Sequence, residues 1–236
     1  MLSNSLAFVK FLIPAVVFYY ALPPPRRKGG LLLLSYIFYG LWNLPYLLLL
    51  IVLTAIAYAW GLMIAAAPTP AQKRNILAGV VTFLLGALAL FKYAGALGAL
   101  FSLIGLPAAP LSYFERILIP LGISYYTFKL ISYVIDVYWG KIPAERDPAP
   151  FALYPAFFPQ ILSGPIQRAG DFLPQVKRAI PNDPALITSG LRLMLFGYFK
   201  KMVIADSLAL VVAKVYADPG GYNSAAVLLA CYAFVI

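Results

Sequence analysis

Apolar residues fall along this chain in long blocks separated by short polar or proline-rich joints. The blocks occupy 6–22, 31–42, 46–67, 76–91, 94–106, 117–137, 151–166, 187–199, 202–217 and 225–236. Each is read as a helix. About 20 apolar residues cross a bilayer core, with roughly 17 as the lower limit. Blocks 46–67 and 117–137 meet that length and 76–91 nearly does. Blocks 31–42, 94–106 and 187–199 are too short alone, and are read as tilted, interfacial or re-entrant pieces. The pattern predicts an all-α, multi-pass transmembrane protein with short re-entrant or interfacial helices. It forms one membrane domain over 1–236, with no internal repeat and no soluble domain.

Composition points the same way. Of 236 residues, 63% are hydrophobic and 11% charged, against about 25% charged in an average soluble domain; the mean hydropathy is +0.87. Too little polar surface remains to cover a water-soluble core of this content, so a lipid bilayer is the expected surrounding. The net charge of +10 raises nucleic acid as a partner. The basic residues, however, are spread over joints between apolar blocks, as in cytoplasmic loops, and no nucleic-acid binding is expected. The single cysteine, Cys231, excludes an intrachain disulfide and is read as a small packing residue.

Sidedness follows from the basic clusters at 26–28, 73–74, 177–178 and 200–201. Block 6–22 holds only Lys10 and is followed by Pro23-Pro24-Pro25-Arg26-Arg27-Lys28. A signal peptide has the reverse order, so a retained helix ending in the cytoplasm is expected. With the first three clusters cytoplasmic, 76–91 leads out, 117–137 returns, and 140–150 is a cytoplasmic loop. Block 151–166 must then enter and leave on one side.

That re-entrant block holds the most irregular stretch, 157–175, FFPQILSGPIQRAGDFLPQ. Pro159 and Pro165 lack an N–H, and Gly164 relaxes the backbone between them. Non-helical backbone at membrane depth survives only where protein buries it or water reaches it. Its carbonyls, with Gln160 and Ser163, are therefore expected to line a cavity or packed centre; the plainer reading is a helix-breaking linker. Upstream, Pro120 is expected in the first turn of a helix that carries Ser124, Tyr126, Thr127, Lys129, Ser132 and Asp136. Lys129 either faces a polar interior or snorkels to the interface. Lys129 and Asp136 lie two turns apart, too far for a direct ion pair.

Four segments together resemble the membrane-bound O-acyltransferase family, in wording closest to its bacterial alginate O-acetyltransferase branch. They are 118–128 (LIPLGISYYTF), 132–146 (SYVIDVYWGKIPAER), 157–175, and 200–208 (KKMVIADSL). The resemblance implies a funnel-like enzyme of the bacterial inner membrane. It takes an acyl group from a cytoplasmic-side donor, acetyl-CoA or another acyl carrier. It passes that group to hydroxyls of an extracellular polysaccharide such as alginate, directly or through periplasmic acyl-transfer proteins. No bound cofactor is implied. A buried histidine is the expected catalytic residue, since a base near neutral pH must take the hydroxyl proton. This chain contains no histidine. With block 225–236 stopping at roughly 18 Å of helix, the chain is read as the N-terminal half of a longer enzyme, inactive alone, with the histidine beyond Ile236.

The resemblance also suggests that Phe158, Pro159, Gln160, Gly164, Pro165 and Arg168 shape a channel wall and its entrance. Ser163 stands where the branch commonly has alanine, and Lys129 where it commonly has glutamine. Arg168 could meet donor phosphates through its guanidinium or serve as a positive-inside anchor. Asp171 could cap a short helix or pair with Arg168, and Lys200-Lys201 with Asp206 could order the end of block 187–199. No metal site is expected, and Gly95 and Gly98 lack the flanks of a phosphate loop. A transporter or channel, or a non-catalytic scaffold of a polysaccharide-modifying complex, are the competing functions. A transporter predicts matching broken helices elsewhere.

Overall fold

The computed structural model describes residues 6–103, 119–161, 166–178 and 183–235, with side chains for all of these except 6–7 and 94–102. Every regular element among them is helical. The chain divides into two compact units, Met1–Ile180 and Pro181–Ile236.

The first unit opens with α1 (Leu6–Ala21), a 3-10 turn (Pro24–Arg26) and α2 (Arg27–Gly40). Asn43 then caps α3 (Leu44–Ala66), its Oδ1 accepting from Tyr46 N at 3.2 Å, with Pro45 in the first turn. Block 76–91 and the described part of 94–106 are two helical stretches meeting at a kink. Both lie within α4 (Pro70–Leu103), divided at Tyr93, where φ is −123° and ψ 20° and the backbone is not helical. Among the described residues, two segments are long and apolar enough to cross a membrane: Leu44–Ala66, of 23 residues, and Pro70–Tyr93, of 24. Both turn large apolar side chains outward, among them Leu48, Val52 and Phe83.

Block 117–137 departs from expectation. Its helix, α5, covers only Ile123–Tyr138, 16 residues, roughly 24 Å at 1.5 Å per residue. Pro120 is not in the first turn: it precedes the helix, its carbonyl accepting from Ile123 N at 3.2 Å. The chain enters α5 through Gly122 at φ 70°, left-handed backbone that suits glycine. A Cβ there would also run into the carbonyl oxygen of Ile161.

Block 151–166 is interrupted. After α6 (Pro148–Ala156), Phe157 leaves helical geometry at φ −52°, ψ 106°, and a single turn, α7 (Phe158–Ile161), follows. Continuing α6 would drive the Pro159 ring against the carbonyl of Pro155, four residues earlier. Ser163, Gly164 and Pro165 lie outside the described residues. The unit closes with α8 (Ala169–Lys177).

Aromatic packing holds these pieces together. Phe158 meets Phe11 at 5.3 Å, Phe38 at 5.6 Å and Phe8 at 6.2 Å between ring centroids. Tyr133 of α5 lies 4.6 Å from Phe151 of α6. It also presses on α3 at Gly61, where an added Cβ would come within 2.6 Å of its ring.

In the second unit, Asp183 caps α9 (Pro184–Phe199) through Ala185 N at 2.8 Å. A π-helical stretch, Lys200–Ala205, carries it directly into α10 (Asp206–Ala217). Blocks 187–199 and 202–217 are thus one near-continuous rod rather than separate short pieces, and Lys201 pairs with Asp206 inside it. α11 (Ser224–Val235) packs on α10. Cys231 is exposed there, its Sγ accepting from Tyr216 Oη at 3.3 Å.

Candidate functional site

One face of α5 is polar although the helix is buried. Lys129, Tyr133 and Asp136 sit four and then three residues apart, which stacks them along a single face. Lys129 is 2% exposed and Asp136 4%, burial that needs compensating partners. Lys129 Nζ donates to Gln160 Oε1 at 2.8 Å and to the Tyr154 carbonyl at 3.2 Å. The same nitrogen lies 5.2 Å from the Tyr154 ring centroid and 5.8 Å from that of Phe172. Gln160 Nε2 donates in turn to Gln167 Oε1 at 2.9 Å, and Tyr154 Oη to the Gln167 carbonyl at 2.9 Å. The break at Phe157 is what lets Gln160 swing back onto α5.

Farther along that face, Asp136 meets Arg168 at 3.4 Å. Tyr133 Oη accepts from Glu145 N at 3.0 Å. Glu145, itself buried, holds the loop between α5 and α6: its Oε1 accepts from Arg146 N and Asp147 N, both at 3.0 Å, and its Oε2 pairs with Lys177 at 2.6 Å. Asp147 caps α6 through Ala149 N at 3.1 Å and pairs with Lys28 at the start of α2. The Lys28 ammonium beside it holds the Asp147 carboxyl below its ordinary range, with the Ala149 N–H helping.

Beside this seam opens a cleft of about 860 Å³. Arg27, Lys28, Lys177 and Arg178 line it together with a single carboxylate, Asp147, and Gln160, Gln167 and Gln175 add amides. Tyr19, Phe157 and Phe172 supply aromatic surface. Arg27 is buried, its Nε donating to the Leu22 carbonyl at 3.1 Å while its guanidinium stacks on Tyr19 and Tyr20. The arrangement suits an anionic ligand with an apolar or aromatic part, because cations outnumber the carboxylate within one concave wall.

The structure brings together only some of the candidates from the sequence. Gln160 lines the cleft, and Lys129 stands behind it in the seam, neither snorkelling nor ion-paired to Asp136. Phe158 is packed in the aromatic core, whereas Phe157 faces the cleft. Pro159 is exposed and Tyr126 fully buried, and neither lines the cleft. Ser124 accepts from Lys92 Nζ at 3.4 Å, away from it. Arg168 is not in the cleft wall and pairs with Asp136 rather than Asp171; the Asp171 carbonyl accepts from Gln175. Arg27, Lys28, Asp147, Gln167, Lys177 and Arg178 were missed. Their signal was present as the charge clusters 26–28 and 177–178, used only to assign sidedness. Among the described residues no group of His, Cys, Asp or Glu could hold a metal ion.

No protein-family model and no solved structure matches the chain. It is similar to a probable alginate O-acetylase AlgI of Pseudomonas syringae, 36% identical over 190 residues, covering 78% of this chain and 36% of that protein. The probable alginate O-acetylase AlgI of Pseudomonas aeruginosa is 38% identical over 181 residues, covering 74% and 34%. A peptidoglycan O-acetyltransferase of Helicobacter pylori is 31% identical over 205 residues, covering 74% and 38%. The chain thus spans about a third of the length of the curated relatives it matches. With this likeness running through three quarters of an all-helical chain that carries two apolar helices of membrane-crossing length, the chain belongs to the membrane-bound O-acyltransferase family, beside the bacterial alginate O-acetylases.

Proposed function

We propose that the chain is the donor-receiving part of a multi-pass inner-membrane O-acyltransferase that moves acetyl to hydroxyls of an extracellular polysaccharide such as alginate. The observation that carries this reading is the cationic cleft ending on the broken helix at Gln160. A phosphate-bearing donor, acetyl-CoA or another acyl carrier, matches that wall: Arg and Lys take its phosphates and aromatic side chains its apolar part. Clusters 26–28 and 177–178 meet at the one cleft, while Lys73 lies beside Tyr138, at the end of α5 that leads into residues 140–147. That convergence supports a cytoplasmic face by the positive-inside bias.

In the transfer, the acceptor hydroxyl oxygen bonds to the acetyl carbonyl carbon and the bond to the carrier sulfur breaks. The hydroxyl proton goes to a base, and the carrier leaves as its thiol after protonation. These 236 residues contain no histidine. In this proposal the base comes from outside them, and the residues here bind and orient the donor. The test is donor kinetics of the natural protein with Lys28 and Arg178 both changed to methionine, at matched membrane abundance. The donor KM should rise about tenfold, the order of one lost charge-assisted hydrogen bond, with kcat within about twofold. An unchanged KM overturns the assignment of the cleft.

A further inference from the structure

The amides of the polar seam can point in only one direction. The Lys129 ammonium has donors and no acceptor, and it stands 2.8 Å from Gln160 Oε1. Flipping that amide would set its NH2 against the ammonium, donor on donor, so the assignment of oxygen and nitrogen follows from Lys129 itself. With its oxygen committed, Gln160 donates Nε2 to Gln167 Oε1 at 2.9 Å. Gln167 Oε1 then carries that bond, and among the described residues its Nε2 N–H groups have no protein partner. Gln160 and Gln167 line the cleft, whereas Lys129 does not.

We infer that Lys129 is a positioning residue that presents the N–H groups of Gln167, on the inner wall of the cleft, to a phosphoryl oxygen of the ligand. The charge never reaches the ligand directly. It fixes the order of donors and acceptors along Lys129, Gln160 and Gln167, so that the last group offers N–H to the ligand. A glutamine or methionine at 129 would leave that order undetermined, because an amide pair alone can run either way. This inference rests on the cleft taking an anionic ligand, as proposed above.

The experiment titrates inorganic pyrophosphate into the natural protein in detergent, using isothermal calorimetry. Lys129→Gln and Gln167→Leu should each weaken binding about fivefold or more, the order of one net hydrogen bond. Their double variant should bind no more weakly than either single, because both remove the same group from the ligand. Losses that add, or a Lys129→Gln affinity within twofold of the natural protein, overturn the inference. Should Lys129→Gln fail to fold, two charge-matched variants carry the test: Gln167→Glu should lose at least fivefold more affinity than Gln175→Glu, which adds the same charge to the same cleft off the relay. Equal losses overturn the relay. Natural protein that transfers acetyl but binds no pyrophosphate overturns the subsite and leaves the transferase reading. Pyrophosphate binding with the coupling intact, but no acetyl transfer, does the reverse.

Discussion

Asp147 carries two duties at the cleft rim: it caps α6 and pairs with Lys28. Its carboxyl is held below the ordinary range chiefly by the Lys28 hydrogen bond. A carboxyl so depressed lends stability above the unfolded-state value, about 3.9, and the contribution is lost as pH falls through the folded-state value. Both side chains are partly exposed, at 41% and 38%, so the pair is worth at most about 1 kcal/mol after screening. Asp147→Asn should therefore flatten the fall in stability between about pH 5 and pH 3 while changing little at pH 7 beyond the lost pair. Thermal unfolding across that range checks this. Single residues explain the misplacements too. Arg168 was open to two readings, a phosphate contact or a positive-inside anchor, and the structure pairs it with Asp136, distant in sequence. Phe157 and Phe158 are identical letters, and the helix break between α6 and α7 decides which one faces the cleft.

At the scale of elements, single residues impose several of the boundaries through local chemistry. Asn43, Asp147 and Asp183 each sit before a helix with proline in its first turn, and each side chain accepts a hydrogen bond from that turn. Pro159 likewise ends α6. The boundary of α5 was not readable, because Gly122 works through its approach to Ile161 rather than through Pro120. The fusion of 187–199 with 202–217 was also hidden: Lys200 and Lys201 looked like a terminus, but the Lys201–Asp206 pair lets the helix run on as a π stretch. The loop after α5 depends on Tyr133, which packs against α3 and accepts from Glu145 N. Tyr133→Phe keeps the ring and removes the acceptor. Leaving that N–H unpaired should cost about 1–3 kcal/mol, seen as faster proteolysis within 140–150 with helix content unchanged. Equal cleavage rates would show that the loop is held without this bond.

For the molecule as a whole, the net charge of +10 matters less than where it converges. Arg27, Lys28, Lys177 and Arg178 come from helices far apart in sequence and act on one volume. Exposed charges are screened over about 10 Å at 0.1 M salt and about 3 Å at 1 M. Raising salt from about 0.1 to 0.5 M should thus weaken pyrophosphate binding severalfold in the natural protein and much less in the Lys28→Met, Arg178→Met double variant. A salt effect of equal size in both would remove these residues from the site. The sequence by itself determined the all-helical class, the long apolar helix Leu44–Ala66, the broken backbone near Pro159 and the family. All of these follow from hydropathy, proline geometry and local wording that act within a few residues. It ranked 117–137 above 76–91 in length, and the structure reverses that order. Only the tertiary structure decided that Lys129 lies behind Gln160, that Asp136 rather than Asp171 holds Arg168, and that two basic clusters share one cleft. Those outcomes depend on contacts between residues 28 and 147, 129 and 160, 136 and 168, and 145 and 177. Such pairings are set by how the helices pack, and helix periodicity carries no record of them.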